Sequence, residues 1–363
     1  MATTTLATAS QVAKWESDYF KEYVRESGLK PYMGKGANSV ICVNYELTSG
    51  GKTVNIPLIS KLSGNGVTGT GALVGNEEAL NNYNFPIVVD WLRNAVEIKK
   101  PELHWTEMDL LAAARDMLQV WSMDTLRDDV IAAMLSINGV AYGTATEAQK
   151  DAWLDDNTDR VLFGAAKANI STAAPAGGAT NDHSGSLANI DSTNDKLSAG
   201  MISLMKRMAK TATPNIRPTR VSNSQGREYF VCFAGSLPFR DLKADSVIQQ
   251  ANREARERNV NTNPLFQDGD LIYDGVIIRE IPEIPVIAGA GAAAIDVAPV
   301  FFCGAQAVGV AWGQEPKMTR KKEDDYDFVQ GRGIEECRGI EKMRYNDKDH
   351  GLLTGYVSAV ADS

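Results

Sequence analysis

The longest amphipathic pattern in the chain extends from Thr106 to Ile137 and predicts a single long helix. Apolar residues recur there at three- and four-residue spacing, which places them on one helical face. Thr106 and Asp109 form a shortened capping box, and Asn138 with Gly139 supplies a left-handed stop. The predicted buried face consists of Leu110, Ala114, Met117, Leu118 and Trp121. Average globular helices have only about a dozen residues. We therefore interpret this helix either as a core helix of a large α+β protein or as the spine of a flat, tile-shaped subunit.

A two-stranded excursion precedes the long helix. Alternating apolar residues in 40–45 and from Thr53 to Leu62 predict two strands, and the intervening Gly50 and Gly51 predict a hairpin turn. Residues 63–85 are rich in glycine, after which the chain returns as a strand over 85–98. An excursion of this kind contains too little apolar material to form its own core.

The N-terminal segment has an aromatic face. Trp15, Tyr19, Phe20 and Tyr23 follow a small polar stretch and fall on one side of a predicted short helix that ends at Gly28. Such a face requires a surface to cover it, which is either the core of the same chain or a neighbouring molecule.

The remainder of the chain mixes helical and strand patterns. Residues 141–316 predict an α+β domain, within which 171–196 are so small and polar that they predict a surface loop. The strands predicted near the C-terminus are expected to pair with the sheet beside the long helix. The further predicted elements are a helix over 196–210, a strand over 229–234, a helix over 241–258, a strand pair over 271–281, an apolar element over 298–312, and C-terminal strands over 331–345 and 351–361.

Composition narrows the classes of function. The chain has 363 residues, a formal charge of −9 and a pI near 5.1, which argues against a surface that grips nucleic-acid phosphates. Four widely spaced cysteines without a CxxC pair are typical of free thiols in a reducing cytoplasm. Neither a secretion signal nor an apolar run long enough to span a membrane is present in the sequence.

One stretch has the outline of a nucleotide-binding fingerprint. Gly64-x-Gly66-x-x-Gly69 follows a predicted strand, and Asp90 ends another strand further on. A bound pyrophosphate also requires a helix N-terminus, but Gly71 and Gly75 interrupt any helix here. The three histidines are isolated and no familiar catalytic or metal-binding spacing occurs. A mobile loop is therefore favoured, with no catalytic, cofactor or metal residues predicted, and a soluble oligomeric nucleotide-binding enzyme is kept as the alternative.

Two motifs carry a resemblance to a known family. GALVGNEEALNNYNFPIVVDWLRNAVEI at 71–98 precedes the long helix, and DRVLFG at 159–164 follows it. With the order of elements, these motifs resemble the major capsid (coat) proteins of tailed double-stranded-DNA bacteriophages. The resemblance implies an α+β capsid fold with an N-terminal arm (1–44), an extended loop (45–85), a peripheral domain with the spine helix (86–140), an axial domain (141–316) and C-terminal strands returning to the peripheral domain (317–363).

The resemblance also implies a function and partners. Subunits of this family assemble as hexamers and pentamers into an icosahedral shell in the host cytoplasm, and the shell encloses double-stranded DNA without sequence-specific binding. A separate scaffolding protein, a portal and a cement protein are the expected partners, and no enzymatic activity, cofactor or membrane is expected. The residues expected to contact neighbouring subunits are Leu58, Ile59, Lys61, Leu62 and Leu73 of the extended loop and Trp15, Tyr19, Phe20 and Tyr23 of the arm.

Overall fold

A computed structural model gives the structure of the chain. It describes residues 28–59, 62, 66–80, 82–106, 108–220, 228–254, 270–321, 326 and 328–362. The predicted arm residues Trp15, Tyr19, Phe20 and Tyr23 lie outside the described residues, as does Lys61 of the extended loop.

The described residues form seven α-helices and sixteen strands, some of them only two residues long. The helices are α1 (Lys100–Trp105), α2 (Leu110–Leu135), α3 (Glu147–Asp156), α4 (His183–Ala188), α5 (Ala199–Thr211), α6 (Ser236–Ala244) and α7 (Ser246–Glu254). The strands are β1 (Met33–Gly34), β2 (Ile41–Asn44), β3 (Thr53–Ile59), β4 (Asn82–Val88), β5 (Asp90–Lys99), β6 (Val161–Phe163), β7 (Thr219–Arg220), β8 (Glu228–Ala234), β9 (Asp270–Tyr273), β10 (Val276–Glu280), β11 (Val297–Cys303), β12 (Val308–Arg320), β13 (Val329–Lys342), β14 (Arg344–Tyr345), β15 (Lys348–Asp349) and β16 (Leu352–Ser358).

The chain divides into two compact units. The described part of the smaller unit consists of Trp91–Thr125 and Gln314–Cys337. The larger unit consists of Gly28–Asp90, Leu126–Gly313 and Arg338–Ser363. In the smaller unit, β13 lies between β5 and β12. In the larger unit, β2 pairs in parallel with β1 and with the first residues of β12.

The spine helix α2 is shorter than predicted at both ends. It begins at Leu110, because the Asp109 carboxylate caps it by accepting a hydrogen bond from the backbone N–H of Ala112 at 3.0 Å. Thr106, predicted as the capping residue, instead accepts the N–H of Met108 at 3.2 Å in the turn before the helix. At the other end, the left-handed turn at Asn138 and Gly139 is present as predicted, with φ of 50° and 82°.

A seven-stranded sheet forms the centre of the larger unit. Its strand order is β6-β16-β11-β8-β10-β9, with β7 added to β8. Alternate residues of β8 face opposite sides, so that Phe230 packs with the apolar face of α5 while Phe233 packs with Ile131 of α2. Both faces of the sheet are therefore covered by helices, which accounts for its nearly continuous apolar strands.

Strand β16 does not lie where the sequence interpretation placed it. The C-terminal strands were expected beside the spine helix, and β13 does join β5 and β12 in that way. Strand β16, in contrast, pairs with β11 and β6 in the seven-stranded sheet. All seven of its residues are buried, and only a central strand covered on both faces provides that environment.

The polar segment 171–196 is not a simple surface loop. It contains α4, and its backbone is held by carboxylates of α3 that lie well before it in the chain. Asp151 accepts the backbone N–H groups of Ala176 and His183, both at 2.7 Å. Asp155 accepts those of Thr180 and Asn181, at 2.7 and 2.9 Å. These charge-assisted bonds replace the apolar contacts that the segment lacks.

His183 was predicted to be an isolated loop residue, but it is buried among aromatic rings. Its ring centroid lies 5.5 Å from that of Tyr356 and 5.6 Å from that of Phe163. Tyr142 and Trp153 lie within 6.1 Å. Burial lowers the pKa of His183 to about 3, so the imidazole is neutral at pH 7.

Candidate assembly surface

The predicted extended loop is a two-stranded ribbon, defined here as residues 53–88. The pairing differs from the predicted hairpin, because β3 pairs with β4 rather than with β2. Seven antiparallel residue pairs run from Thr53 opposite Val88 to Ile59 opposite Asn82. The Gly50–Gly51 turn therefore joins two different sheets. The described residues 66–80 between β3 and β4 are called the tip of the ribbon.

The base of the ribbon is packed against the larger unit. The ring of Phe85 meets that of Tyr345 edge-on at 6.0 Å, and the Tyr345 hydroxyl donates to the carbonyl of Ile56 at 3.4 Å. A Cβ atom at Gly339 would lie only 2.1 Å from the carbonyl oxygen of Val88. Position 339 therefore requires glycine for β4 to lie this close to β13.

Burial decreases along the ribbon towards its tip. Val54 and Ile87, near the base, are buried, whereas Leu58 is half-buried. Ile59 is 62% exposed at the end of β3. Single exposed apolar residues are common on protein surfaces, but a series of them on one projecting element marks an interaction surface.

The tip carries three further exposed apolar side chains. Leu73 is 63% exposed, Val74 is 85% exposed and Leu80 is 61% exposed. A local turn shapes this region, because the N–H of Asn76 donates to the carbonyl of Leu73 at 3.0 Å. Of the residues predicted from the sequence, Ile59, Leu62 and Leu73 are all exposed. The sequence interpretation missed Val74 and Leu80, although both lie in the quoted 71–98 motif.

The predicted buried face of the spine helix is only partly buried. Ala114 and Leu118 are buried, but Leu110, Met117 and Trp121 are half-buried. The prediction that the whole of this face is buried is therefore wrong for Leu110, Met117 and Trp121. The sequence also gave no sign of the buried Ser122, whose hydroxyl donates to Glu336 at 2.9 Å. Serine in a helix is usually placed on the polar face, so only the tertiary contact explains its burial.

The nucleotide-binding alternative depends on a helix N-terminus beside the glycine-rich loop. Residues 66–80 form turns and extended segments, so the helix N-terminus that would hold a pyrophosphate is missing from that part of the loop. No group of three or more His, Cys, Asp or Glu side chains is placed to hold a metal ion within the described ranges. Burial raises the pKa of Cys42 to about 11 and of Cys232 to about 12, so both thiols are protonated and weakly nucleophilic. None of the helices in the described part of the chain has the length and apolar character of a membrane span.

Comparison with known proteins decides the family. The family profile described as phage capsid protein matches residues 3–360. The chain belongs to the phage capsid protein family. It is 28% identical to the major capsid protein of Pseudomonas phage KPP25 over 97% of this chain and 96% of the relative.

Solved capsid structures have the same fold as this family member. A chain of the Cyanophage Pam1 capsid asymmetric unit is 39% identical, with a TM-score of 0.89 over 100% of both chains. A chain of the capsid of Ralstonia phage GP4 is 20% identical, with a TM-score of 0.73 over 100% of both chains. The predicted α+β capsid fold and the predicted resemblance are thus confirmed.

Proposed function

We propose that this chain is the structural subunit of a phage capsid shell, in which copies assemble as hexamers and pentamers into an icosahedral container for double-stranded DNA. One observation carries the proposal: the ribbon has four apolar side chains that are more than 60% exposed in the described part of the chain, namely Ile59, Leu73, Val74 and Leu80. Burial of about 25 cal/mol per Å² of apolar surface favours covering them. A neighbouring copy of the chain is the natural cover in a shell.

The proposal assigns each predicted assembly residue to a contact between copies. Leu58, Ile59, Leu62 and Leu73 of the ribbon, together with Val74 and Leu80, would be buried on the adjacent subunit. Lys61 and the aromatic residues of the N-terminal arm are assigned to the same role on the strength of the sequence pattern alone.

The electrostatic character supports a container rather than a DNA-binding protein. With a net charge of −9, the chain repels phosphate at long range, so enclosed DNA would not adhere strongly to the wall. The proposal assigns no catalytic step to the chain. Assembly in the host cytoplasm with a separate scaffolding protein, a portal and a cement protein belongs to the same proposal.

Sizing of the purified protein tests the proposal most directly. Sedimentation velocity and electron microscopy of the chain, produced alone or with the scaffolding protein of its phage, should detect closed shells or tubes of megadalton mass. A variant lacking 63–73 provides the comparison, because it removes Leu73 and the glycine-rich residues before it without removing any residue of β3 or β4. Normal shells from this variant would show that residues 63–73 are not an assembly element and would overturn the role proposed for this part of the ribbon.

A further inference from the structure

A cluster of three arginines lies within the smaller unit, where the first turns of α2 approach β12 and β13. Arg115 from α2, Arg320 from β12 and Arg332 from β13 line a cleft of about 480 Å³. In the part of the chain that the structure describes, none of these three guanidinium groups forms an ion pair. The cluster is therefore a local concentration of positive charge in a chain whose net charge is −9.

Two carboxylates also line the cleft, and both already have partners. Asp109 accepts a hydrogen bond from the backbone N–H of Ala112 at 3.0 Å and so caps α2. Asp116 has an interaction partner as well. Because three guanidinium groups line the cleft with these two carboxylates, the cleft keeps a positive balance and favours an anion.

Two contacts fix the register of β12 and β13 beside the cleft. The N–H of Lys321 donates to the carbonyl of Gly331 at 3.1 Å. A Cβ atom at Gly333 would lie 2.9 Å from the hydroxyl of Thr319. The two strands therefore run antiparallel here, and the residues between the two contacts form a directly opposed pair.

That opposed pair is Arg320 and Arg332. Like charges at directly opposed positions of neighbouring strands are destabilising. A bound anion would remove this repulsion. The cleft therefore gains more from an anion than three isolated surface arginines would.

Phosphate groups suit the chemistry of this cleft. Arginine presents a planar fork of N–H donors that binds phosphate oxygens in pairs, and it stays charged at physiological pH. Thr319 is the one uncharged polar side chain among the described residues that line the cleft. Contacts to phosphate carry no sequence information, so the cleft would recognise a nucleic acid by its backbone alone.

We propose that the Arg115–Arg320–Arg332 cleft binds phosphate groups of the enclosed double-stranded DNA. The inference rests on the proposed container function, which makes DNA phosphate the most concentrated anion inside the shell. The negative charge of the rest of the chain keeps this binding weak and sensitive to salt. The enclosed DNA is thus held at discrete points on a wall that otherwise repels it.

Binding of DNA to the free subunit tests the cleft directly. Fluorescence anisotropy with a short labelled duplex at low salt measures the affinity of the unmodified chain and of a variant that combines Arg115→Gln, Arg320→Gln and Arg332→Gln. The variant should bind about tenfold more weakly. Its slope of log affinity against log salt should be smaller by about 2.7, because each lost phosphate contact removes about 0.9. Thermal unfolding of the variant should occur no earlier than that of the unmodified chain, because like charges have been removed.

The matched control removes three positive charges at exposed positions of the larger unit. Lys167→Gln, Arg207→Gln and Lys210→Gln together change the net charge by the same amount, and this variant should keep the affinity and the salt slope of the unmodified chain. Equal losses in the two variants would overturn the inference, because binding would then depend only on net charge. Displacement of the duplex by inorganic phosphate at equal phosphate concentration, or equally tight binding of polyglutamate, would also overturn it. The cleft would then take small anions or an acidic protein segment.

Chemical modification of arginine tests the contact inside shells. Phenylglyoxal modifies accessible guanidinium groups, and mass spectrometry should find Arg115, Arg320 and Arg332 modified several-fold less in DNA-filled shells than in empty ones. Equal modification in the two kinds of shell would overturn the inference. If the free subunit binds DNA without help from the cleft while shells form normally, the inference falls and the proposed function stands. If no shells form under any condition, the proposed function falls, whatever the free subunit binds.

Discussion

Two antiparallel ladders of equal length show how differently the chain uses the same backbone pairing. Strands β11 and β16 pair over seven residues, from Val297 opposite Ser358 to Cys303 opposite Leu352. Strands β3 and β4 also pair over seven residues. Every residue of the first ladder is buried, whereas the second ladder exposes alternate residues along its length. Because an isolated two-stranded ribbon is marginal in water, the second ladder depends on what covers it.

The comparison separates the residues that stabilise a single copy from those that we propose join copies. The buried ladder takes part in three apolar clusters of the larger unit, so it contributes to the stability of a single copy. The ribbon packs on the larger unit at its base, where Phe85 meets Tyr345 and Val88 lies against Gly339. Substitutions in the two ladders should therefore affect different measurements.

Removal of residues 63–73 of the ribbon should have the largest effect of all. Deletion of 63–73 removes Leu73 and the glycine-rich connection, and we expect closed shells to disappear while the subunit remains folded. Electron microscopy should detect no shells, and thermal unfolding of the free subunit should be unchanged. Hydrogen exchange sharpens the test, because residues 66–80 should exchange rapidly in free subunits and slowly in shells. Equal protection in both states would mean that the tip is covered within its own chain.

Truncation of a buried ladder residue should have the next largest effect, but on the single copy. Phe302 is fully buried between α5 and β8, and Phe302→Ala should lower the free energy of unfolding by about 3–5 kcal/mol. The matched ribbon variant Ile59→Ala should lower it by no more than about 0.5 kcal/mol, because that side chain is largely exposed. Denaturant unfolding of unassembled protein measures both. If the two variants lose similar amounts of unfolding free energy, the two ladders contribute equally to the stability of a single copy, and the comparison is wrong.

Most of the fold could be predicted from apolar periodicity, and the failures have identifiable causes. The strands β8 and β16 were located within a few residues, because continuous apolar runs are unmistakable in the sequence. Their partner strands could not be predicted, since a buried strand has the same apolar sequence pattern wherever it lies in a sheet. The β2–β3 hairpin was wrong because the Gly50–Gly51 turn is compatible both with a hairpin and with a change of sheet.

The segment 171–196 illustrates a different limit. Its composition predicts a solvated loop, but its order comes from Asp151 and Asp155, some 25 residues earlier. Carboxylates that accept backbone N–H groups leave no periodic signal in either segment. The exposed apolar residues of the ribbon were partly predictable, because an apolar residue in a glycine-rich excursion is conspicuous in the sequence.

Acidification should lower the free energy of unfolding through the buried His183. This loss should be smaller than that caused by Phe302→Ala. Its pKa is lowered from 6.5 to about 3, mainly because the ring is buried; the charge of Lys150 adds to the lowering and that of Asp182 opposes it. The unfolded chain therefore binds more protons than the folded chain between these two pKa values, and the free energy of unfolding falls as the pH is lowered through that window. Acidification from pH 7 to pH 5 should remove about 2 kcal/mol through this residue.

The control for the acid effect is a variant that cannot titrate. His183→Phe retains an aromatic ring among Tyr142, Trp153, Phe163 and Tyr356, and it should lose this part of the pH dependence. His350, whose pKa is lowered by burial to about 4, remains in both proteins and contributes equally to both. Denaturant unfolding at a series of pH values measures the difference, and parallel pH profiles for the two proteins would contradict the assignment.

The smallest effect is expected for a substitution in the spine helix. Here the burial predicted from the sequence implies a larger loss of stability than the burial in the structure does. A fully buried Trp121 would make Trp121→Ala cost about 3–5 kcal/mol. Because Trp121 is only half-buried, we expect about 1–2 kcal/mol, in proportion to the apolar area that is covered. Leu118, one turn earlier and 2% exposed, provides the matched control, and Leu118→Ala should be the more destabilising change despite its smaller side chain. If Trp121→Ala proves the more damaging in the free subunit, the tryptophan is more deeply covered than its exposure indicates. If it instead lowers the yield of shells more than the stability of the subunit, its exposed edge is covered by a neighbouring copy, which would extend the distinction between the two ladders to this helix.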